Sequence, residues 1–299
     1  MSVDLAILTP AYLDYTFVGL EALPGPGEER FAGDMLRSPG GGGITAVGAV
    51  RLGLSTALVA PLGDDLAGRF VRNALRGEGV VVGEPRGSRT PTTMVMPVAG
   101  ERSMVTVDPG LRARADDLDE HAPRAVAATL EQIDLVPADV RAYVTCGDDD
   151  ARAFAGRLPH GNTRVRALIV NRREAAVLTG VVGPAEAAEQ LSEIADTAVV
   201  TLGPDGVVAV VDGRAVTVPG VDAGPVVDST GAGDLFAAAI AWADLHGTDP
   251  EVAVRWANLY AGLSVTAHTG VAGAVSRARL IDEGSRRGLP ELPASAREG

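Results

Sequence analysis

The sequence predicts an α/β protein in which helices cover a mainly parallel central sheet and a small second β-sheet lies over it. Three observations carry this. Short apolar runs alternate with helix-length segments over the first eighty residues, the order that builds a parallel sheet. A hairpin pattern from Thr90 to Val107 interrupts that alternation and supplies strands for a separate sheet. Late in the chain, Asp228-Ser229-Thr230-Gly231-Ala232-Gly233-Asp234 joins a valine pair to an apolar helix, the strand-to-helix junction at which such folds collect ligands.

In chain order, Val3 to Leu8 reads as a first buried strand, interrupted by Thr9-Pro10. Ala11 to Val18 is extended and aromatic-rich. It contains Asp14, which is either a solvent-facing strand residue or a ligand contact. Leu23-Pro24-Gly25-Pro26-Gly27 is a turn cluster, and Arg30 to Leu36 returns as a short strand. Gly40 to Gly43 runs into a small-residue helix from Ile44 to Leu52. That arrangement lets backbone approach a ligand closely, or simply makes a flexible connection. Ser55 to Pro61 is a strand, Asp64 or Asp65 caps a helix from Leu66 to Leu75, and a hairpin with Gly100 at its turn follows.

The acidic stretch Asp116 to Val140 reads as helix, and Ala142 to Thr145 as a strand leading to Cys146. At the carboxyl end of Leu168-Ile169-Val170 come Asn171 and Glu174. They are well placed for a ligand and also form a capping box, and both readings can hold at once. Ala198 to Leu202 is a strand, and Val207 to Val211 with Ala215 to Val218 forms a hairpin on the favoured Asp212-Gly213 turn. Helices from Asp234 to Leu245 and from Glu251 to His268 close the chain. The second carries Asn258, one of only four asparagines, which serves either a ligand or a core hydrogen bond.

Composition narrows the chemistry. With 299 residues, 46% of them hydrophobic, and a mean hydropathy of +0.16, the chain can bury a large core. No apolar run reaches the ~18 residues of a membrane span, and MSVDLAILTP lacks the basic flank of a signal peptide, so a cytoplasmic protein is expected. The single Cys146 permits no intramolecular disulfide, and His121, His160, His246 and His268 are not spaced as metal ligands. A net charge of −13 argues against a nucleic-acid partner. All 26 basic residues are arginine, so the lysine of a Walker A loop, of a protein-kinase site or of a pyridoxal Schiff base is missing.

The Asp228–Asp234 stretch can still handle phosphate. Gly231, Ala232 and Gly233 leave their N–H groups open to an anion at a helix N-terminus. A carboxylate beside bound phosphate, as Asp234 would be, is tolerable where it must take a proton from an attacking hydroxyl. The chemistry implied is phosphoryl transfer to an alcohol. The structural alternative, a glycine turn with a dipole-favoured first-turn aspartate, is the commoner one for an isolated motif of this kind.

Over nearly its whole length the chain resembles the ribokinase-like, or PfkB, family of carbohydrate kinases. The Asp228–Asp234 stretch looks like that family's C-terminal signature. Gly40 to Gly53 with Leu62 to Phe70 looks like its N-terminal one, and Asn171-x-x-Glu174 like its magnesium motif. The resemblance implies a three-layer α/β/α kinase domain spanning residues 1–299, with lid strands at about 10–38 and 88–107. It implies ATP as donor and a sugar or nucleoside as acceptor. Asp234 would be the base, Gly231, Ala232 and Gly233 the anion hole, and Asn171 and Glu174 the magnesium residues, acting largely through water. Thr201, Gly203, Gly206, Thr230 and Asn258 would lie on the nucleotide, and Asp14, Gly40 and Gly41 on the acceptor. Asp228 with the loop His268 to Ser276 matches the family's monovalent-cation site, which implies potassium. The lid would pair two subunits into a homodimer, without nucleic acid or membrane. Ile44 stands where the family usually places an asparagine that holds acceptor hydroxyls, so the acceptor must be recognised differently. Two other readings are carried, a nucleoside kinase of the same fold and a nucleotide-binding sensor without turnover.

Overall fold

A computed structural model describes residues 2–98, 101–158 and 165–298. Among the described residues thirteen strands form two sheets. They are β1 (Leu5–Ile7), β2 (Ala11–Val18), β3 (Asp34–Gly41), β4 (Thr56–Leu58), β5 (Val81–Val82), β6 (Thr92–Val98), β7 (Glu101–Val107), β8 (Ala125–Thr129), β9 (Arg141–Thr145), β10 (Val165–Asn171), β11 (Ala195–Thr201), β12 (Val207–Val211) and β13 (Arg214–Val218). The large sheet has the order β13-β12-β11-β10-β9-β8-β1-β4-β5 and is parallel up to β11, with β12 and β13 antiparallel at one edge. The small sheet has the order β3-β2-β6-β7; β2 pairs with β6 in parallel and the other two pairings are antiparallel.

Strand alternation divides the core in two. Leu5, Ile7, Ala127, Tyr143, Ile169 and Val199 point to one face, packed by the Gly42–Arg51, Ala232–Leu245 and Pro250–Ser264 helices. Ala6, Leu8, Val126, Val144, Leu168 and Val200 point to the other, covered by the Arg172–Thr179 and Pro184–Leu191 helices. This is a three-layer α/β/α arrangement. The Ala232–Leu245 helix is buried along its length from Leu235 onward, and Leu235, Phe236 and Ile240 contribute about 1.5–3 kcal/mol each relative to exposure.

Several sequence expectations shift. The stretch Asp116 to Val140 is not one helix. Asp116–Asp119 is one short α-helical turn, Ala125–Thr129 is a central strand between β1 and β9, and Leu130–Leu135 is a 3-10 helix. A parallel strand buried on both faces shows no polar alternation, so its composition resembles a helix. The second strand of the small sheet begins at Asp34 and runs through Gly41, later than Arg30 to Leu36. Val226 and Val227 form no strand, since the N–H groups of Val227 and Asp228 instead donate to the Val265 carbonyl. The Pro250–Ser264 helix ends short of His268, and a further helix, Arg277–Arg286, follows it. Asp65 is the residue that caps the Leu66–Gly77 helix, accepting from the Gly68 N–H at 2.8 Å. The Asp212-Gly213 turn has positive φ at both residues, as the hairpin requires. The expected Gly100 turn lies outside the described residues. No helix is long and apolar enough to cross a membrane among the described residues.

Candidate active site

The site forms where the small sheet meets the carboxyl edge of the large one. Gly231 precedes the Ala232–Leu245 helix with φ +81°, a conformation glycine adopts freely. A β-carbon there would also come within 2.7 Å of the Ile44 side chain. Gly233 has open space beside it, so backbone at this helix N-terminus can face an anion. Asp234 is half-buried in the first turn, and its Oδ1 accepts from the Thr45 hydroxyl at 3.3 Å. Burial pushes its pKa up to about 7, against the lowering effects of Thr45 and of the nearby Arg102 charge.

Asp14 faces this helix end from β2 and is 5% exposed. Burial, then the charges of Asp234 and Asp228, raise its pKa to about 7. Gly40 lies against its carboxylate, and Gly41 turns at φ +51° where a β-carbon would strike the Pro10 carbonyl and the Tyr12 ring. The glycine run therefore packs closely against Asp14, Pro10 and Tyr12 and is not a slack connection. Its last two members, Gly42 and Gly43, begin the helix.

Ile44 belongs to the packing beneath this helix start. Its side chain is 1% exposed and packs beneath Gly231 and Gly270. It fills the space under the turn that opens the Ala232–Leu245 helix. Its neighbour Thr45 provides the polar contact, and no motif or spacing in the chain singles that threonine out.

Asn171 and Thr201 are register partners at the carboxyl ends of β10 and β11. Asn171 Oδ1 accepts from the Glu174 N–H at 2.9 Å, and Glu174 Oε2 accepts from the Asn171 N–H at 2.8 Å, so the capping box is formed. Burial raises Glu174 to about 7, with the Asp148 charge adding to the effect. This half-buried carboxylate, with one oxygen engaged by a neutral N–H, suits a hydrated cation. Among the described residues no cluster of three ligating side chains forms a metal cage. Gly203 (φ +62°) is open on its outer side, and Gly206 (φ +94°) is tightly packed against β13's exit. Asn258 is buried, and its Nδ2 donates to the Pro219 carbonyl at 2.9 Å, so the side chain makes a core hydrogen bond.

Asp228, 3% exposed, accepts from the Thr230 N–H at 2.8 Å and the Thr269 N–H at 3.0 Å. It ties the signature loop to Thr269, which adopts φ +69°. The Thr230 hydroxyl is buried without a hydrogen-bond partner. Burial raises the Cys146 thiol's pKa, consistent with an inert packing residue.

The model of the pfkB family of carbohydrate kinases matches residues 15–146 and 138–276. This chain belongs to that family. As a phosphotransferase of the family, it is 30% identical to the ribokinase of Bacillus subtilis (strain 168) over 260 residues, covering 81% of this chain and 86% of the relative. It is 32% identical over 259 residues, 76% of this chain, to the bifunctional protein HldE of Caulobacter sp. (strain K31), and the match spans about half of that longer relative. The Arabidopsis thaliana ribokinase, solved with ribose and ATP, superposes with a TM-score of 0.74 at 22% identity, covering 94% of this chain and 98% of that one; this likeness is one of fold.

Proposed function

We propose that this chain transfers the terminal phosphoryl group of ATP to a hydroxyl, of the hydroxymethyl kind, on a sugar or sugar-like molecule. The observation that carries the reading is the half-buried Asp234 in the first turn of a helix that opens on a positive-φ glycine, with Asp14 facing it. With its pKa near 7, Asp234 can take the acceptor hydroxyl's proton at neutral pH. The N–H groups of Gly231, Ala232 and Gly233 hold the charge that develops on the group in transit. Asp14, flanked by Gly40 and Gly41, accepts hydrogen bonds from the acceptor's other hydroxyls.

ATP would supply the phosphoryl group, and a magnesium ion would neutralise its charge. Asn171 and Glu174 would hold that ion through water, and Thr201, Gly203, Gly206, Thr230 and the surroundings of Asn258 would line the nucleotide. Potassium beside Asp228 is the second ion of this reading, supported by a buried carboxylate whose partners are neutral N–H groups. A homodimer through the small sheet, acting as a lid, is supported by exposed Met35, Met94, Val105 and Val107 on the face away from Asp14. The screen that tests the function measures ADP release with sugars, sugar phosphates and nucleosides. Turnover only with nucleosides would move the acceptor class. ATP binding with no acceptor-dependent turnover across the panel would favour a sensor.

A further inference from the structure

Arg102 sits on β7, the edge strand of the small sheet, and nothing in the sequence marks it. The β6–β7 register pairs Thr93 with Thr106 and Pro97 with Arg102, and β2 pairs Asp14 with Thr93, so strand alternation puts Arg102 on Asp14's face. From there its Nη1 donates to the Ser229 hydroxyl at 2.9 Å and to the Ser229 carbonyl at 3.3 Å. Its charge is felt at both Asp234 and Glu174, lowering each carboxyl against the burial that raises it. The other arginines around the site are already paired: Arg51 with Glu78, Arg172 with Asp205, and Arg173 with Asp148. Among the described residues Arg102 has no carboxylate within ion-pair distance.

We propose that Arg102 is a catalytic residue of this kinase, leaving Ser229 to close on the oxygens of the phosphoryl group as it passes from nucleotide to acceptor. The inference rests on the phosphoryl-transfer reading above. A guanidinium bound to a hydroxyl and a carbonyl has neutral acceptors, whereas phosphoryl oxygens add an opposite charge and the paired oxygens that its planar fork matches, so the exchange is favourable. A chain without lysine and with net charge −13 must draw its cationic help from arginine. In the step itself, the bond from phosphorus to the ADP oxygen breaks with its electron pair left on ADP. The bond from phosphorus to the acceptor oxygen forms, and the acceptor proton goes to Asp234. Arg102 keeps all its protons and contributes charge alone.

The test compares wild type with Arg102→Ala, Arg102→Gln and Arg102→Lys in the full chain. Arg102→Gln keeps a donor for Ser229 without the charge. Turnover is expected to fall about 10²–10³-fold in the Ala and Gln variants with little change in acceptor KM, and to recover in part with Lys. Calorimetric titration provides a readout independent of turnover. ADP affinity in wild type should rise when aluminium fluoride and acceptor are present, and the Ala and Gln variants should lose that gain while binding ADP alone as before. Retention of the fluoride-dependent gain, or a loss confined to melting temperature and acceptor KM, would make Arg102 only an anchor for the sheet and overturn the proposal. If wild type itself neither turns over nor gains affinity, the phosphoryl-transfer reading has failed and this role falls with it.

Discussion

Gly40 lies so close to the carboxylate of Asp14 that a β-carbon at position 40 would overlap it. The two residues come from adjacent strands of the small sheet, where Asp14 pairs with Ser38 and Tyr12 with Gly40. Gly40→Ala must therefore push the Asp14 carboxylate aside. Acceptor KM is expected to rise about 10–100-fold, the worth of a charged hydrogen bond, with nucleotide affinity little changed. Steady-state kinetics varying each substrate in turn separates the two; an unchanged acceptor KM would remove Asp14 from the acceptor site.

Asp234→Asn should lower turnover by roughly 10²–10⁴, as loss of a general base does, and leave ATP affinity intact or improved because a negative charge near phosphate is gone. A first-turn structural aspartate would instead cost about 0.3–1 kcal/mol of stability and spare the chemistry. Turnover and nucleotide titration on the same folded variant decide between them.

The pKa of about 7 at Asp234 sets a direction for pH dependence. The base must be deprotonated, so kcat/KM should rise with pH through about 7 and then level off. Stability runs the other way. Asp14, Glu174 and Asp234 hold their protons in the folded state at pH values where the unfolded chain has lost them, so their contribution is present below about pH 4 and is lost as pH rises through about 7. Melting curves from pH 5 to 8 should show Asp234→Asn losing less stability across that range than wild type.

Glu174→Gln keeps a side-chain oxygen that can accept from the Asn171 N–H, so the helix cap and the melting temperature should survive. Removal of the charge should raise the magnesium concentration needed for half-maximal activity. Unchanged magnesium dependence with a lowered melting temperature would reduce the residue to a cap.

For assembly, sedimentation at micromolar concentration should give a dimer, and Val105→Glu, which places a charge on the exposed face of β7, should give a monomer. A monomeric wild type would remove the paired lid from the mechanism.

Signals carried by neighbours along the chain are legible in the sequence. The alternation of strands and helices, the Asp-Gly hairpin turn, the Asn171–Glu174 box and the Asp228–Asp234 junction each depend on backbone preferences and hydrogen bonds within a few residues. The departures from expectation have a different origin. The buried strand Ala125–Thr129 has no polar face to announce itself, and the Val226-Val227 pair meets Val265 instead of a sheet neighbour.

Local chain chemistry is enough for the fold class, the glycine that opens the Ala232–Leu245 helix and the place of Asp234 in its first turn. What surrounds that carboxylate is a matter of tertiary packing. Folding places Thr45 on Asp234 across 189 positions, Ile44 beneath Gly231, Gly40 against Asp14, and Arg102 on Ser229 across 127 positions. These contacts follow from how two sheets and a helix layer stack. Such packing is set by many long-range burials together, so no local spacing in the chain could have disclosed it.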